Sequence, residues 1–296
     1  MKPAPTKTTA LKRLREALNR RNHTAFVFSG GGNLGAVQVG MLRALVERGI
    51  EPDVIVGCSV GAINGAAFAA EPTLRGLIHL DGIWGRLADG RPDLMPDSRL
   101  PIAVQMALRK RSLHDPRVLE TFLEEALPVD RFEALKVPFA CVATKLSTAD
   151  EHWFDTGRLV PALMASAALP AVYPPVEIDG ELYMDGGVVR EAPVAQAAEM
   201  GAKRIYLLHV GHLNEVRTFR ADRPFDGALH AYWVARLRRF EDDCEDLSRR
   251  CELIRLPSGP MPDLRFDDFS MSRRLAAQAH RASSEYLADL ELRSRA

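Results

Sequence analysis

Cysteine is scarce in this chain: Cys58, Cys141, Cys244 and Cys251 are the only four in 296 residues, and no two stand as a CxxC pair. That spacing excludes the framework of a disulfide-built secreted domain and fits a reducing cytoplasm, with Cys141 in an apolar strand pattern where a buried thiol is ordinary. Long apolar runs are missing as well. Nowhere do about 18 apolar residues follow one another, and the basic N-terminus lacks the apolar centre of a signal peptide, so neither a membrane span nor export by that route is expected. Excess charge of either sign is absent, with 39 Lys plus Arg against 39 Asp plus Glu, which leaves no global field to attract nucleic acid or another anionic partner. No HExxH or comparable spacing of histidines occurs, so no metal is predicted. Internal repeats and low-complexity tracts are lacking too.

What remains is a chain with 47% hydrophobic side chains, long enough to bury a large core and best read as one α/β domain over residues 23–296. Residues 1–22 form a basic extension in which Leu11, Leu14 and Leu18 recur at helical spacing. Such a helix either packs one stripe on the domain with its charges in water or rests on an anionic lipid surface. Beyond it, strand and helix patterns alternate: Ala25–Ser29, Ala36–Arg48 closed by Gly49, Asp53–Gly57, Val60–Ala70. This is the rhythm of a mainly parallel sheet covered on both faces, a three-layer α/β/α arrangement.

The rhythm breaks after Glu71-Pro72 into a mostly helical insertion over 71–135, holding Trp84, Met95 and Met106 and a helix opened by Asp115-Pro116. An insertion at that place is either a lid over a site or an extra helical layer. The alternation resumes with strands at Val137–Thr144 and His152–Asp155 and a small-residue helix at Val160–Leu169. Asp179-Gly180 between two apolar pairs marks a two-residue hairpin. Helix Pro193–Met200, strand Arg204–Val210, a long helix near Ala228–Arg249, strand Glu252–Leu256 and a last helix over Ser270–Leu290 complete the pattern.

Chemistry concentrates at two turns. Gly57-Cys58-Ser59-Val60-Gly61 stands between the apolar run Val54-Ile55-Val56 and the helix-compatible stretch Ala62–Ala70. A strand, a turn too tight for side chains at its glycines and a helix would hold the Ser59 hydroxyl at the carboxyl edge of the sheet, as a nucleophile requires. The pattern alone recurs by chance about 0.1 times in a chain of this length, so the surroundings decide its meaning. Gly30-Gly31-Gly32-Asn33-Leu34-Gly35 also follows a strand and opens a helix, and it satisfies the GxGxxG spacing of a dinucleotide site. Such a site needs an acidic residue at the far end of the second strand. Here Asp53 stands at the near end of that strand and Ser59 follows its far end; no Lys-Ser or Lys-Thr pair after the glycines makes a mononucleotide loop either. Bare amides of Gly30, Gly31 and Gly32 aimed at an oxyanion account for the glycines better, with a tight turn lacking any ligand as the plain alternative.

Gly30–Gly35, Gly57-Cys58-Ser59-Val60-Gly61, the run Ala165-Ser166-Ala167-Ala168-Leu169-Pro170 with Tyr173-Pro174-Pro175, and Asp185-Gly186-Gly187 stand in one order. That series resembles the patatin-like phospholipases, and its bacterial branch in particular, over roughly Phe26 to Val210. Leu34 stands where that family usually has Arg or Lys, and Val60 where it usually has Ala. A serine hydroxyl needs a neighbour to take its proton. The chain order Ser59, Asp185, then His209 or His212 would suit a triad; the resemblance implies instead a two-residue arrangement in which Asp185 faces Ser59. It further implies an acyl-enzyme route, a phospholipid or other fatty-acyl ester as substrate, and no cofactor. Asn33, Gly35, Gly57, Gly61, Gly186 and Gly187 are then the residues that shape the site. A cytoplasmic protein touching membrane surfaces peripherally fits this reading, as does a non-catalytic lipid-binding module with the same fold.

Overall fold

The computed structural model describes residues 23–90, 115–170, 172–211, 226–247, 250–262, 264 and 268–295. The basic extension over 1–22, the middle of the insertion over 91–114 and His212 lie outside them. Eight strands form one sheet: β1 (His23–Phe28), β2 (Val54–Cys58), β3 (Phe139–Lys145), β4 (Asp150–Phe154), β5 (Val176–Ile178), β6 (Glu181–Asp185), β7 (Ala202–Leu208) and β8 (Glu252–Arg255). The α-helices among the described residues are α1 (Ala36–Val46), α2 (Val60–Ala70), α3 (Leu74–Ala88), α4 (Pro116–Ala126), α5 (Leu159–Ser166), α6 (Val194–Glu199), α7 (Asp226–Leu247) and α8 (Ser272–Arg295).

Strands β3, β2, β1, β7 and β8 lie side by side and parallel. Their near-continuous apolar sequence follows from burial on both faces. Phe26, Phe28, Ile55, Phe139 and Leu208 point into a large core built with α1 to α5 and α8. The intervening Ala25, Val27, Val54, Val56 and Leu207 meet α6 and α7 on the other side. The expected three layers are therefore present, with most helical mass on one face.

The antiparallel part of the sheet positions the site. Strand β4 pairs with Cys141–Lys145 along β3. A strand has two edges, so β2, opposite Phe139–Val142, and β6, opposite Ala143–Lys145, must share the other one. Cys58 is the partner of Val142, and Asp185 is the partner of the next residue, Ala143. Strands β2 and β6 thus run head to head, and the residues at their meeting ends are Ser59 and Asp185. The β5–β6 hairpin that delivers Asp185 turns at Asp179 (φ 52°) and Gly180 (φ 79°), the two left-handed residues that a type I′ turn needs.

Observed boundaries differ from the pattern in ways that have local causes. Strand β7 stops at Leu208, and Val210, expected inside it, instead donates its N–H to the Ser29 hydroxyl at 2.8 Å. Helix α5 ends at Ser166 rather than Leu169, the chain turning ahead of Pro170. Both described pieces of the insertion bury an apolar face: α3 buries Leu77, Leu80, Ile83, Trp84 and Leu87, and α4 buries Leu119, Phe122 and Leu123. The Asp115 carboxylate caps α4 by accepting the Arg117 N–H at 3.0 Å, with Pro116 in the first turn where its missing N–H costs nothing.

Gly40 fixes the approach of α1 to α8. A Cβ at Gly40 would stand 2.0 Å from the Ala276 carbonyl oxygen and 2.7 Å from the His280 nitrogen, both backbone atoms that no side-chain rotation can move. Gly40→Ala is expected to destabilise the fold by about 1–3 kcal/mol through overpacking, read as a fall in the urea midpoint. An unchanged midpoint would mean that the two helices are free to separate.

Candidate active site

Ser59 occupies a turn that sequence and packing force into an unusual conformation. Its backbone lies at φ 54° and ψ −127°, a region sparsely populated by residues with a side chain. Two neighbours make the turn this tight. A Cβ at Gly57 would fall 2.6 Å from the Gly61 carbonyl oxygen, and one at Gly61 would fall 2.3 Å from that of Ser29. The Ser59 N–H donates to the Ser166 hydroxyl at 2.9 Å, and that hydroxyl donates to the Val142 carbonyl at 2.7 Å. Ser166 is wholly buried at the end of α5, so the turn is tied to β3 through a single side chain.

The Ser59 hydroxyl donates to Asp185 Oδ2 at 2.6 Å. The other carboxylate oxygen, Oδ1, accepts the Gly187 N–H at 2.7 Å, and Thr144 donates its hydroxyl to the Asp185 carbonyl at 2.8 Å. Gly186 lets the chain turn there, since its Cβ would meet the Val142 carbonyl oxygen at 2.3 Å. Asp185 is only 2% exposed. Burial pushes its carboxyl above the ordinary range, while the Ser59 hydroxyl, the Arg236 guanidinium and the Gly187 amide pull it back part of the way. A carboxylate so placed is a stronger base than one in water, because desolvation disfavours its charged form.

The glycine turn sits beside this pair, the point of a Gly30 Cβ being 3.4 Å from Ser59 Cβ. Its three amides are not equivalent. Gly30 donates its N–H to the Glu191 carbonyl at 3.0 Å, which narrows the expectation that all three face an oxyanion; the amides of Gly31 and Gly32 remain. Gly31 has no room for a side chain, with Val210 Cγ1 at 2.4 Å from its Cβ position, and at Gly32, with φ 58°, none of the described residues beyond its chain neighbours comes within 4 Å of a Cβ. Asn33 is buried and donates to the Asp268 carbonyl at 2.7 Å. Gly35 is covered by Val60 and Trp84. Leu34 is an apolar core residue, 3% exposed.

Beneath the turn lies a buried polar chain that the sequence did not announce. Trp84 Nε1 donates to Asn64 Oδ1 at 2.9 Å, and Asn64 Nδ2 donates to Gln38 Oε1 at 2.8 Å. Gln38 Nε2 donates to the carbonyls of Ser29 at 2.8 Å and Leu208 at 3.0 Å. Side chains from α1, α2 and α3 therefore fix the end of β1 from which the glycine turn springs. Gln38 and Asn64 are buried amides in mostly apolar helices, which is the only signal they offer. Arg236 and Glu191 give none.

His209 belongs to the core. It is 5% exposed, stacks on the Phe240 ring at 4.7 Å between centroids and stands 3.9 Å from Glu191 Oε1; burial moves its pKa down, toward the neutral form. Among the described residues no cluster of His, Cys, Asp or Glu is placed to hold a metal, and no helix is long and apolar enough to cross a membrane.

A mainly parallel α/β sheet, with a serine at a strained strand-to-helix turn bonded to an aspartate from the facing strand, defines the class. The model of the patatin-like phospholipases matches residues 26–198, and the chain belongs to that family. It is 29% identical over 215 residues to patatin-like phospholipase domain-containing protein 7 of Rattus norvegicus, covering 72% of this chain and 15% of that protein. An uncharacterised NTE family protein of Mycobacterium bovis is 30% identical over 200 residues, covering 68% of this chain and 51% of that one. The lysophospholipase NTE1 of Mycosarcoma maydis is 26% identical over 211 residues, covering 70% of this chain and 10% of that one. The matched region is thus at most about half of these relatives.

Proposed function

We propose that this chain is a serine acyl-ester hydrolase that cleaves fatty-acyl esters of the phospholipid or lysophospholipid type, with Ser59 as nucleophile and Asp185 as its base. The observation that carries this reading is the 2.6 Å hydrogen bond from the Ser59 hydroxyl to Asp185 Oδ2. As Ser59 Oγ attacks the ester carbonyl, its proton passes to Asp185 and the carbonyl π electrons move onto oxygen. The amides of Gly31 and Gly32, at the N-terminal end of the turn leading into α1, receive that charge; a donor so placed is worth roughly 3–4 kcal/mol in the transition state. Collapse expels the alcohol, which takes the proton from Asp185, and leaves the acyl group on Ser59. Water then repeats the sequence, giving its proton to Asp185 and releasing the fatty acid as Ser59 recovers its own. The acyl class rests on the family and on the lysophospholipase among its relatives.

A fluorophosphonate probe tests the reading, because it reacts with an activated serine and not with an ordinary one. The expected result is one adduct per chain, found by mass spectrometry on the peptide containing Ser59 and absent from Ser59→Ala, together with release of fatty acid from lysophosphatidylcholine vesicles. Folded protein that takes no label would instead point to a non-catalytic lipid-binding module.

A further inference from the structure

Helix α7 brings one cation against the site. The Arg236 side chain is 9% exposed, and its Nη2 lies 3.1 Å from Glu191 Oε1. The same Nη2 is 3.5 Å from the point a Gly30 Cβ would occupy and 3.1 Å from the corresponding point at Gly187. The Gly187 point is itself 2.9 Å from Asp185 Oδ1, so the guanidinium nitrogen lies within about 6 Å of that carboxylate oxygen. Gly187 is therefore a place where the missing side chain leaves the guanidinium room, while at Gly30 the separation is one of ordinary contact. The glycine turn supplies no cation of its own, since Leu34 is apolar and buried.

We propose that Arg236, balanced by Glu191, is the positioning residue that keeps Asp185 ionised as the base and supplies the positive field that the glycine turn lacks. This rests on the reading of Ser59 and Asp185 given above. Among the described residues the groups facing Asp185 are the Ser59 hydroxyl, Arg236 from α7, Glu191 from the segment before α6, and the Cys58 thiol, which burial pushes well above its ordinary pKa. His209 faces Glu191, and burial pushes its pKa down, toward the neutral form. Arg236 favours the charged carboxylate and Glu191 opposes it. Being buried, both act with little screening by salt.

Two neutralising substitutions should therefore move the acid limb of the pH–rate profile in opposite directions, which a merely structural role would not do. Rates of Ser59 labelling by the fluorophosphonate, measured against pH on the full chain, read the ionisation of the base without a lipid interface. Arg236→Gln is expected to move the acid limb upward by about 1 pH unit or more, the range for an opposite charge at this separation. Glu191→Gln is expected to move it downward, and Arg236→Lys, which keeps the charge, to leave it near the wild-type position. A limb unmoved in folded Arg236→Gln, moved equally in Arg236→Lys, or moved upward in Glu191→Gln overturns the assignment. If Arg236→Gln does not fold, the Lys and Glu191 variants decide by themselves. An acid limb that persists in Asp185→Asn overturns the underlying base assignment instead, and this inference with it.

Discussion

Ser59→Gly is expected to be inert toward esters and more stable than Ser59→Ala. In the proposed mechanism, loss of the Ser59 hydroxyl leaves only the glycine-turn amides and binding, a fall on the order of 10⁴-fold or more in turnover by analogy with serine hydrolases. The stability difference has a separate origin. At φ 54° and ψ −127° a residue carrying a Cβ pays about 1–3 kcal/mol in backbone strain, which alanine retains and glycine relieves. Against that stands the greater freedom of glycine in the unfolded chain, about 0.4–1 kcal/mol. Strain is the larger of the two, so the melting temperature should rank Gly above Ala by up to a few degrees. Calorimetry of the two variants side by side decides the point. Equal or inverted melting temperatures would show that the elbow is relaxed, and residual turnover above background in either variant would remove Ser59 from the mechanism.

That strain explains why the Ser59 turn is the most legible part of the sequence. Gly57 and Gly61 are glycines because backbone oxygens at 2.6 and 2.3 Å leave no alternative, and requirements of that kind write themselves into one short motif. The Asp179-Gly180 turn is legible for the same reason, since both of its residues have positive φ. Fold class followed from strands apolar on both faces, which period and length reveal without knowledge of partners.

What stayed hidden depends on contacts between distant segments. Nothing near Gly30 shows that its amide is taken by the distant Glu191. Arg236 is one of several arginines in α7, and only the docking of that helix distinguishes it from Arg238 and Arg239. Ser166 stands within one of the family's motifs, yet its grip on the Ser59 amide follows from where α5 crosses β3. The insertion is a similar case: α3 and α4 have buried apolar faces, with Trp84 bracing the glycine turn through Asn64, whereas 91–114 lies outside the described residues. Most telling is the sheet itself. Alternation of strand and helix predicts a parallel core, but only the pairing of β3 with β2, β4 and β6 at once brings two strand ends together, and the candidate site is that junction.

Asp185→Asn should lose roughly 10²–10⁴-fold in turnover, the range for removing a general base, and should gain stability at neutral and alkaline pH. The introduced amide would still offer a carbonyl oxygen to the Gly187 N–H, but it has no charge to desolvate and no basicity toward the Ser59 hydroxyl. The sign of the stability change follows from the direction of the shift. Burial raises the folded-state pKa of Asp185 above the ordinary 3.8, net of the help from Ser59, Arg236 and Gly187. The native state therefore holds its proton more tightly than the unfolded chain does, and stability from this group is greatest below the unfolded value and declines as pH rises through the folded one. An asparagine at this position is neutral throughout and shows no such decline. The melting temperature of Asp185→Asn should exceed that of the wild type on the alkaline side of the folded pKa, and the two should converge as the pH falls toward 3.8. Melting curves of both proteins from about pH 4 to about pH 9 test this. A variant less stable than wild type at alkaline pH would mean that the ionised carboxylate is a net stabiliser where it lies, and the raised pKa on which its strength as a base depends would have to be given up.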